Sequence, residues 1–580
     1  MKARETQSMG KYILALRAGH NAGAAISDAD TIRFAIQEER LTGEKNYWGF
    51  PARSIHACLE AVGADPEDLA AVVSGGIRVS VRYHNRDDVL QSAHLHSTFL
   101  GRLRQRWLMP LAVRLLPKYG HDRLRALLAE EGLGTVPLEF IDHHTAHAAT
   151  AYYGLRTGPE GQHLVLTCDG SGDTLCATVR VMGSGAAPRI LAVTDMAHSL
   201  GSLWAWTTYA LGFVPFEHEY KLMGMAPYVG EKAAAEYAQL FHRYLGLDAS
   251  GLRFQRKISE PLSNFSDRLF RDLKGKRFDY LCAGLQRFTE EILCTWVRNA
   301  VRVSGIGDVL VAGGVFMNVK ANQAIAALPE VERFEAFPSC GDETLPLGAL
   351  YLAMAERFGE REVRPLSHFY LGDDLDPEAT AQAVQGASSE GLRVQHLPDP
   401  QAMAAAVVDL LVGGKPVARC AGPMEYGARA LGNRSILADP ADSEVVPVIN
   451  HMVKKRDFWM PFAPMVLEDR QGPYVVNPKG LRSPYMMMAF DTTERYRDLI
   501  AAVHNADHTC RAQILPRGHN PGMEAILDRF EAQTGRPVVL NTSFNLHGFP
   551  IVRTAEEALA VLRDSGLEHL QVGEFLVSKP

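Results

Sequence analysis

No run of about 18 apolar residues occurs in this 580-residue chain, so no membrane-spanning helix is expected. The opening stretch, MKARETQSMGKYILALRAGH, has too short an apolar segment for a secretory signal. Cysteine is sparse: eight residues with no C-x-x-C pair, which speaks against a disulfide framework and for reduced thiols in a cytoplasmic protein. Charge is nearly balanced, 60 basic against 67 acidic residues for a net −7, so no nucleic-acid partner is expected. The H-E-x-x-H signature of zinc proteases is missing too, because His144 rather than Glu follows His143.

What is present is a folded composition, 47% hydrophobic and 22% charged, in a chain too long for one core. The most informative stretch is IDHHTAHAATAYY, which places His143 and His147 four apart among small residues. On a helix that spacing puts both imidazoles on one face, within reach of one ion. A His pair alone is more often coincidence than a metal site, so the neighbouring patterns decide. LVLTCDGSGD (164–173) reads as a buried strand ending at Asp169 in a Gly/Ser turn suited to a phosphate, and VLVAGGVFMNVKAN (309–322) repeats the pattern. Asp342, in PSCGDETLPLGALYLA, is either a helix N-cap or a further ligand beside His143, His147 and Asp169.

The first segment reads as strand, turn, strand, hairpin, strand. The turn carrying His20 and Asn21 is either an anion-approaching loop or a tight hairpin. Lys45 falls in a loop and is expected to be exposed. FEHEYKLMGMAPY is expected to form a turn with Lys221 beside Gly224 and Ala226. Residues 93–132 alternate apolar positions with Arg and Lys at helical spacing, which predicts a helical insert with a solvated basic face. Charged, Pro-containing sequence over 361–385 is expected to be a connection. Beyond it, Arg429, Arg434, Lys454, Lys455, Arg456 and Arg511, with the strand-end Ser543, suit a small phosphorylated anion.

In the order GHNAGAA, EER, DHHTAHAA, CDGSGD, KLMGMAPY, AGGVFMN, CGDE, EYGARALGNRSILADP, PFAP and LNTSFN, the chain resembles the NodU/CmcH/TobZ family of O-carbamoyltransferases along nearly its whole length. The resemblance implies an α/β fold: a two-lobed ASKHA (actin/Hsp70-like) domain similar to TsaD over 1–360, and a YrdC-like α/β domain over 386–580. It implies an ATP-dependent transferase of secondary metabolism, such as antibiotic biosynthesis. Carbamoyl phosphate is cleaved in the YrdC-like domain, the carbamate is adenylated by ATP, and the carbamoyl group passes to a small-molecule hydroxyl, of a natural product or sugar. By the family pattern His143, His147, Asp169 and Asp342 hold a divalent metal, Fe(II) foremost, although Mn or Zn would also suit the donors, and Mg(II) could accompany ATP. Lys221, Gly224, Gly313, Gly314 and Asn318 would bind the nucleotide. His20, Lys45 and Asp169 would serve the transfer step, and Arg429, Lys454, Arg456, Arg511 and Ser543 would bind carbamoyl phosphate. Pro423, Met460 and Phe549 depart from the family's usual Arg, Arg and Glu. Threonylcarbamoyl transfer to tRNA and a non-catalytic ATP-binding sensor are the competing readings.

Overall fold

The protein's structure, a computed structural model, describes residues 10–98, 118–158, 161–454 and 457–580. The apolar run after Lys11 forms β1 (Tyr12–Arg17), followed by β2 (Gly23–Ser27), β3 (Ile32–Gln37), β4 (Leu69–Gly75) and β5 (Leu138–Ile141). They make one sheet in the order β3-β2-β1-β4-β5, with β1–β3 antiparallel and β4 and β5 added in parallel. Ile13, Leu14, Ala15 and Leu16 in succession are fully buried, because a sheet covered on both faces needs continuous apolar strands.

A second sheet repeats that topology. Strands β6 (Gln162–Gly172), β7 (Leu175–Gly183) and β8 (Ala186–Asp195) form an antiparallel meander. A short hairpin, β9 (Leu245–Leu247) and β10 (Phe254–Arg256), follows. Then β11 (Asp308–Ala312) and β12 (Arg333–Ala336) add in parallel, giving the order β12-β11-β6-β7-β8. The helix His143–Leu155 links the two sheets and packs against the helix Leu345–Phe358. Its Ala146, Ala148, Ala149 and Ala151 are fully buried, and their small side chains let the helices approach closely.

The remaining strands are β13 (Arg393–His396), β14 (Val417–Cys420), β15 (Arg434–Ala438), β16 (Ala463–Leu467), β17 (Gln513–Leu515), β18 (Val538–Ser543), β19 (His569–Val572) and β20 (Phe575–Ser578). They build one eight-stranded mixed sheet, in the order β13-β20-β19-β14-β15-β18-β16-β17. The expected connection over 361–385 contains the start of the helix Pro377–Ser389, which packs on the helix Ala555–Asp564. The third sheet is bound tightly to the first two. Buried Arg40 donates to the carbonyls of Gly427 (2.8 Å) and Ile551 (3.3 Å), and Lys479 donates to those of Ala326, Leu328 and Val331.

Of the helical insert expected over 93–132, the helix Arg86–Ser97 overlaps its start and His121–Glu130 its end. Arg102, Arg104, Arg106 and Arg114 lie outside the described residues. Lys118, Arg123 and Arg125 are exposed, as a solvated face requires. Among the described residues no helix is long and apolar enough to cross a membrane.

Gly313, which follows β11, fixes the approach of the second sheet to the site. Its φ is +102°, and a Cβ there would overlap the Cys168 carbonyl. Gly313→Ala is therefore expected to destabilise the protein by about 3 kcal/mol, read as an earlier unfolding transition in denaturant. An unchanged transition would show that the loop relaxes freely.

Candidate active site

The Ala-rich helix starts where Asp142 caps it, its carboxylate accepting from the Thr145 N–H at 2.8 Å. That start places His143 and His147 on one face, with ring centroids 4.7 Å apart. Asp169 comes from the end of β6, and its Oδ2 lies 3.2 Å from Nε2 of both histidines. Asp342 comes from the turn before the Leu345–Phe358 helix, its Oδ1 at 3.5 and 3.7 Å from the same nitrogens. One donor atom from each residue falls within 4.8 Å of all the others. Gly341, not Asp342, occupies the N-cap position of that turn, and the Asp342 carboxylate faces the histidines. Its other oxygen pairs with Arg17 at 2.8 Å. His144 turns away and bonds Thr167 Oγ1 at 2.9 Å. Gly172 is required beside His143, because a Cβ there would overlap the imidazole.

Two buried imidazoles and two carboxylates converging on one point suit a divalent cation of intermediate hardness. The electrostatics agree. Burial acts to lower the His147 pKa, but hydrogen bonds and charge from Asp169 and Asp342 outweigh it and raise it to about 9. Asp169, despite its burial, is held well below the usual carboxylate range by the two histidines. In the metal-free protein His147 therefore keeps its proton at neutral pH, and a cation must displace it. Metal affinity is expected to rise about tenfold per pH unit below about pH 9. Chelator competition across that range checks this, and a pH-independent affinity would contradict it.

A cavity of about 700 Å³ opens from this cluster. Asp169 and Asp342 form part of its wall, while His143 and His147 lie behind them. His20 and Lys45 line it, and so do Lys221, Gly224, Gly314 and Asn318. Arg429, Lys454, Arg511 and Ser543, contributed by the third sheet and its loops, line the same cavity. Gly313 is set back against Cys168, and Arg456 lies outside the described residues. Lys454 is buried and donates to Ser543 Oγ (2.9 Å) and Asn545 Oδ1 (2.6 Å).

Some expectations are amended. Residues Glu219–Met225 form a helix rather than a turn. Gly224 serves there as a packing position, since a Cβ would lie 2.7 Å from Met460 Sδ. Lys221 pairs with Asp457 at 3.0 Å, and Trp459 Nε1 donates to the Lys221 carbonyl. Asn318 caps the helix Val319–Ala326 through the Ala321 N–H and exchanges hydrogen bonds with Gln286. Lys45 is exposed, as expected, and its Nζ lies 3.8 Å from Glu217. Pro423 is exposed and outside the cavity wall, whereas Met460 and Phe549 are in it. Arg17, Glu39, Arg40, Glu217 and Asp457 also line the cavity and were given no role by the sequence reading, although Glu39 and Arg40 belong to the EER motif. A lone arginine ending an apolar strand was the one local sign of Arg17.

Two family models match the chain: carbamoyltransferase N-terminus over residues 12–350 and carbamoyltransferase C-terminus over 408–579. Nodulation protein NolNO of Sinorhizobium fredii is 31% identical over 97% of this chain and 79% of its own length. An uncharacterized protein of Methanocaldococcus jannaschii is 29% identical over 98% of this chain and 99% of its own. Among solved structures, full-length HypF in its phosphate- and nucleotide-bound form aligns with 61% of this chain and 57% of its own. It is 14% identical with a TM-score of 0.32, too low to carry an argument.

Proposed function

The chain belongs to the carbamoyltransferase family, and on that premise we propose that it is an ATP-dependent O-carbamoyltransferase acting on a small-molecule hydroxyl. The observation that carries this reading is the single cavity shared by the His/Asp cluster and by Lys454, Arg429 and Arg511. We read the first two sheets, with their repeated topology, as an ASKHA-type domain over 1–360, and the third as a YrdC-like domain over 386–580.

Carbamoyl phosphate would bind where Lys454, Arg429, Arg511 and Ser543 offset the charge of the departing phosphate. Water cleaves it to carbamate and phosphate. The carbamate oxygen then attacks the α-phosphorus of ATP, and pyrophosphate leaves with the broken P–O bond. Lys221, Gly314 and Asn318 flank the nucleotide end of the cavity. In the last step the acceptor hydroxyl oxygen attacks the carbamoyl carbon, AMP leaves with its oxygen, and the hydroxyl proton passes to His20. Burial lowers the His20 pKa, which leaves the imidazole neutral and able to take that proton. A divalent ion held by His143, His147, Asp169 and Asp342 would supply positive charge for the phosphate and carbamoyl oxygens, and Fe(II) is the ion we would load first. Carbamate decomposes readily in water, which gives an enclosed path between the two halves its chemical purpose.

The test is pyrophosphate and phosphate release from the purified protein with ATP, carbamoyl phosphate and Fe(II), beside a His143→Ala, His147→Ala variant. Pyrophosphate release that requires carbamoyl phosphate and disappears in the variant supports the reading. Absence of pyrophosphate with every divalent metal rejects it. The Lys221–Asp457 pair joins the nucleotide end to the segment that carries Lys454. Asp457→Asn is accordingly expected to raise the KM for ATP about tenfold, with a smaller effect on that for carbamoyl phosphate, and Asp457→Glu to restore it. Equal changes in both constants would assign Asp457 a merely structural role.

A further inference from the structure

Arg429, Arg511 and the ammonium of Lys454 suit a phosphate, but a cation takes no proton from water. Cleavage of carbamoyl phosphate by water is helped by a group that does. Among the described residues that line the cavity from the side of the third sheet, Asp457, His504, Cys510 and His547 come into question. Asp457 is paired with Lys221 at 3.0 Å. His504 is buried and uses both ring nitrogens: Nε2 donates to the Gly224 carbonyl at 2.7 Å, and Nδ1 accepts from the Ala506 N–H at 3.2 Å. Burial pushes the Cys510 thiol up to about 12. His547 is different. Its Nδ1 lies 2.7 Å from the Lys454 carbonyl oxygen, which can only accept. In the neutral ring Nδ1 therefore carries the hydrogen, and Nε2 keeps its lone pair on the side away from that carbonyl.

The ring is also held in place. The His547 N–H donates to the Val453 carbonyl at 3.2 Å. Asn545 accepts from Lys454 Nζ at 2.6 Å, and its own Nδ2 donates to the Leu546 and Phe549 carbonyls at 3.0 and 2.8 Å. One amide thus fastens the loop that carries His547 to the ammonium group of Lys454. His547 itself is exposed on the cavity wall, where water reaches it. We propose that His547 is the general base for the water that cleaves carbamoyl phosphate, a step that rests on the carbamoyl-transfer reading above. The water oxygen bonds to the carbamoyl carbon as one of its protons passes to Nε2. The bond from that carbon to the bridging oxygen breaks, and phosphate leaves with the oxygen and the electron pair, towards the cations. The imidazolium returns its proton to the phosphate, and the carbamic acid left behind loses its proton to solvent as carbamate.

Phosphate release from carbamoyl phosphate by the full-length protein, with ATP and Fe(II) and with the uncatalysed rate subtracted, tests this. Asparagine keeps an N–H that can donate to the Lys454 carbonyl but cannot take a proton. His547→Asn and His547→Ala should each lower kcat by about 10²-fold or more and leave the KM for carbamoyl phosphate within about threefold of wild type. Added imidazole should restore His547→Ala by about tenfold and leave the wild type unchanged. A His547→Asn kcat near wild type, a loss that falls on KM instead of kcat, or a His547→Ala loss that imidazole leaves in place overturns the proposal. Carbamoyl phosphate-dependent pyrophosphate release by the wild type separates the two claims. Its absence rejects the proposed function, whereas its presence beside unimpaired phosphate release in His547→Asn removes only the base.

Discussion

Asp169→Asn is expected to lower carbamoyl transfer by about 10³-fold and to remove most of the bound divalent metal. Asp169 Oδ2 is the one atom that lies 3.2 Å from both histidine nitrogens, so it is the hub of the donor set. Asn keeps the shape and removes the charge. The amide is a poorer ligand, and the attraction that raises His147 to about 9 is largely lost. The fold should survive, because the Gly170 N–H can still donate to the amide oxygen in place of Asp169 Oδ1. Transfer rate, metal content by mass spectrometry and an unfolding curve on one preparation check all parts. A variant with full metal content and near wild-type transfer would remove this cluster from the chemistry.

Lys454→Met should be as damaging at the other end of the cavity, raising the KM for carbamoyl phosphate by about 10²-fold or more. Lys454 is 3% exposed, and its ammonium group is gripped by Ser543 and Asn545. Methionine matches its length without its charge. The loss would fall on an anion that must be bound out of water, where a cation's contribution is least screened. Steady-state kinetics with varied carbamoyl phosphate and saturating ATP measure it. A KM within about twofold of wild type would place the carbamoyl phosphate site elsewhere.

Spacing within one element proved the readable part of this site. His143 and His147 declared themselves because i and i+4 share a helix face, and the hydrophobic run up to Asp169 marked a strand, although that strand continues through the Gly/Ser stretch to Gly172 instead of ending at Asp169. Asp342 was ambiguous locally, since a carboxylate opening a helix has two uses. Only its approach to the histidines distinguishes them. The Glu219–Met225 helix was misread as a turn because Gly224 and Pro227 look like breakers, whereas Gly224 makes room for Met460 from a segment 236 positions later. Arg17, and the role of Arg40 in the EER motif, were unreadable for the same reason. Their partners, Asp342 for one and the Gly427 and Ile551 carbonyls for the other, are brought in by tertiary folding.

Isotope dilution tests the central claim, that one enclosed cavity hands carbamate from the third sheet's cations to the His/Asp cluster. The protein would be given ¹³C-carbamoyl phosphate and ATP in a large excess of unlabelled ammonium bicarbonate, which maintains a pool of free ¹²C-carbamate. Carbamoyladenylate, or the carbamoylated acceptor, that retains the full ¹³C enrichment of the carbamoyl phosphate is the predicted result. Enrichment diluted toward that of the free pool would contradict it, because carbamate would then be leaving the protein before it is adenylated.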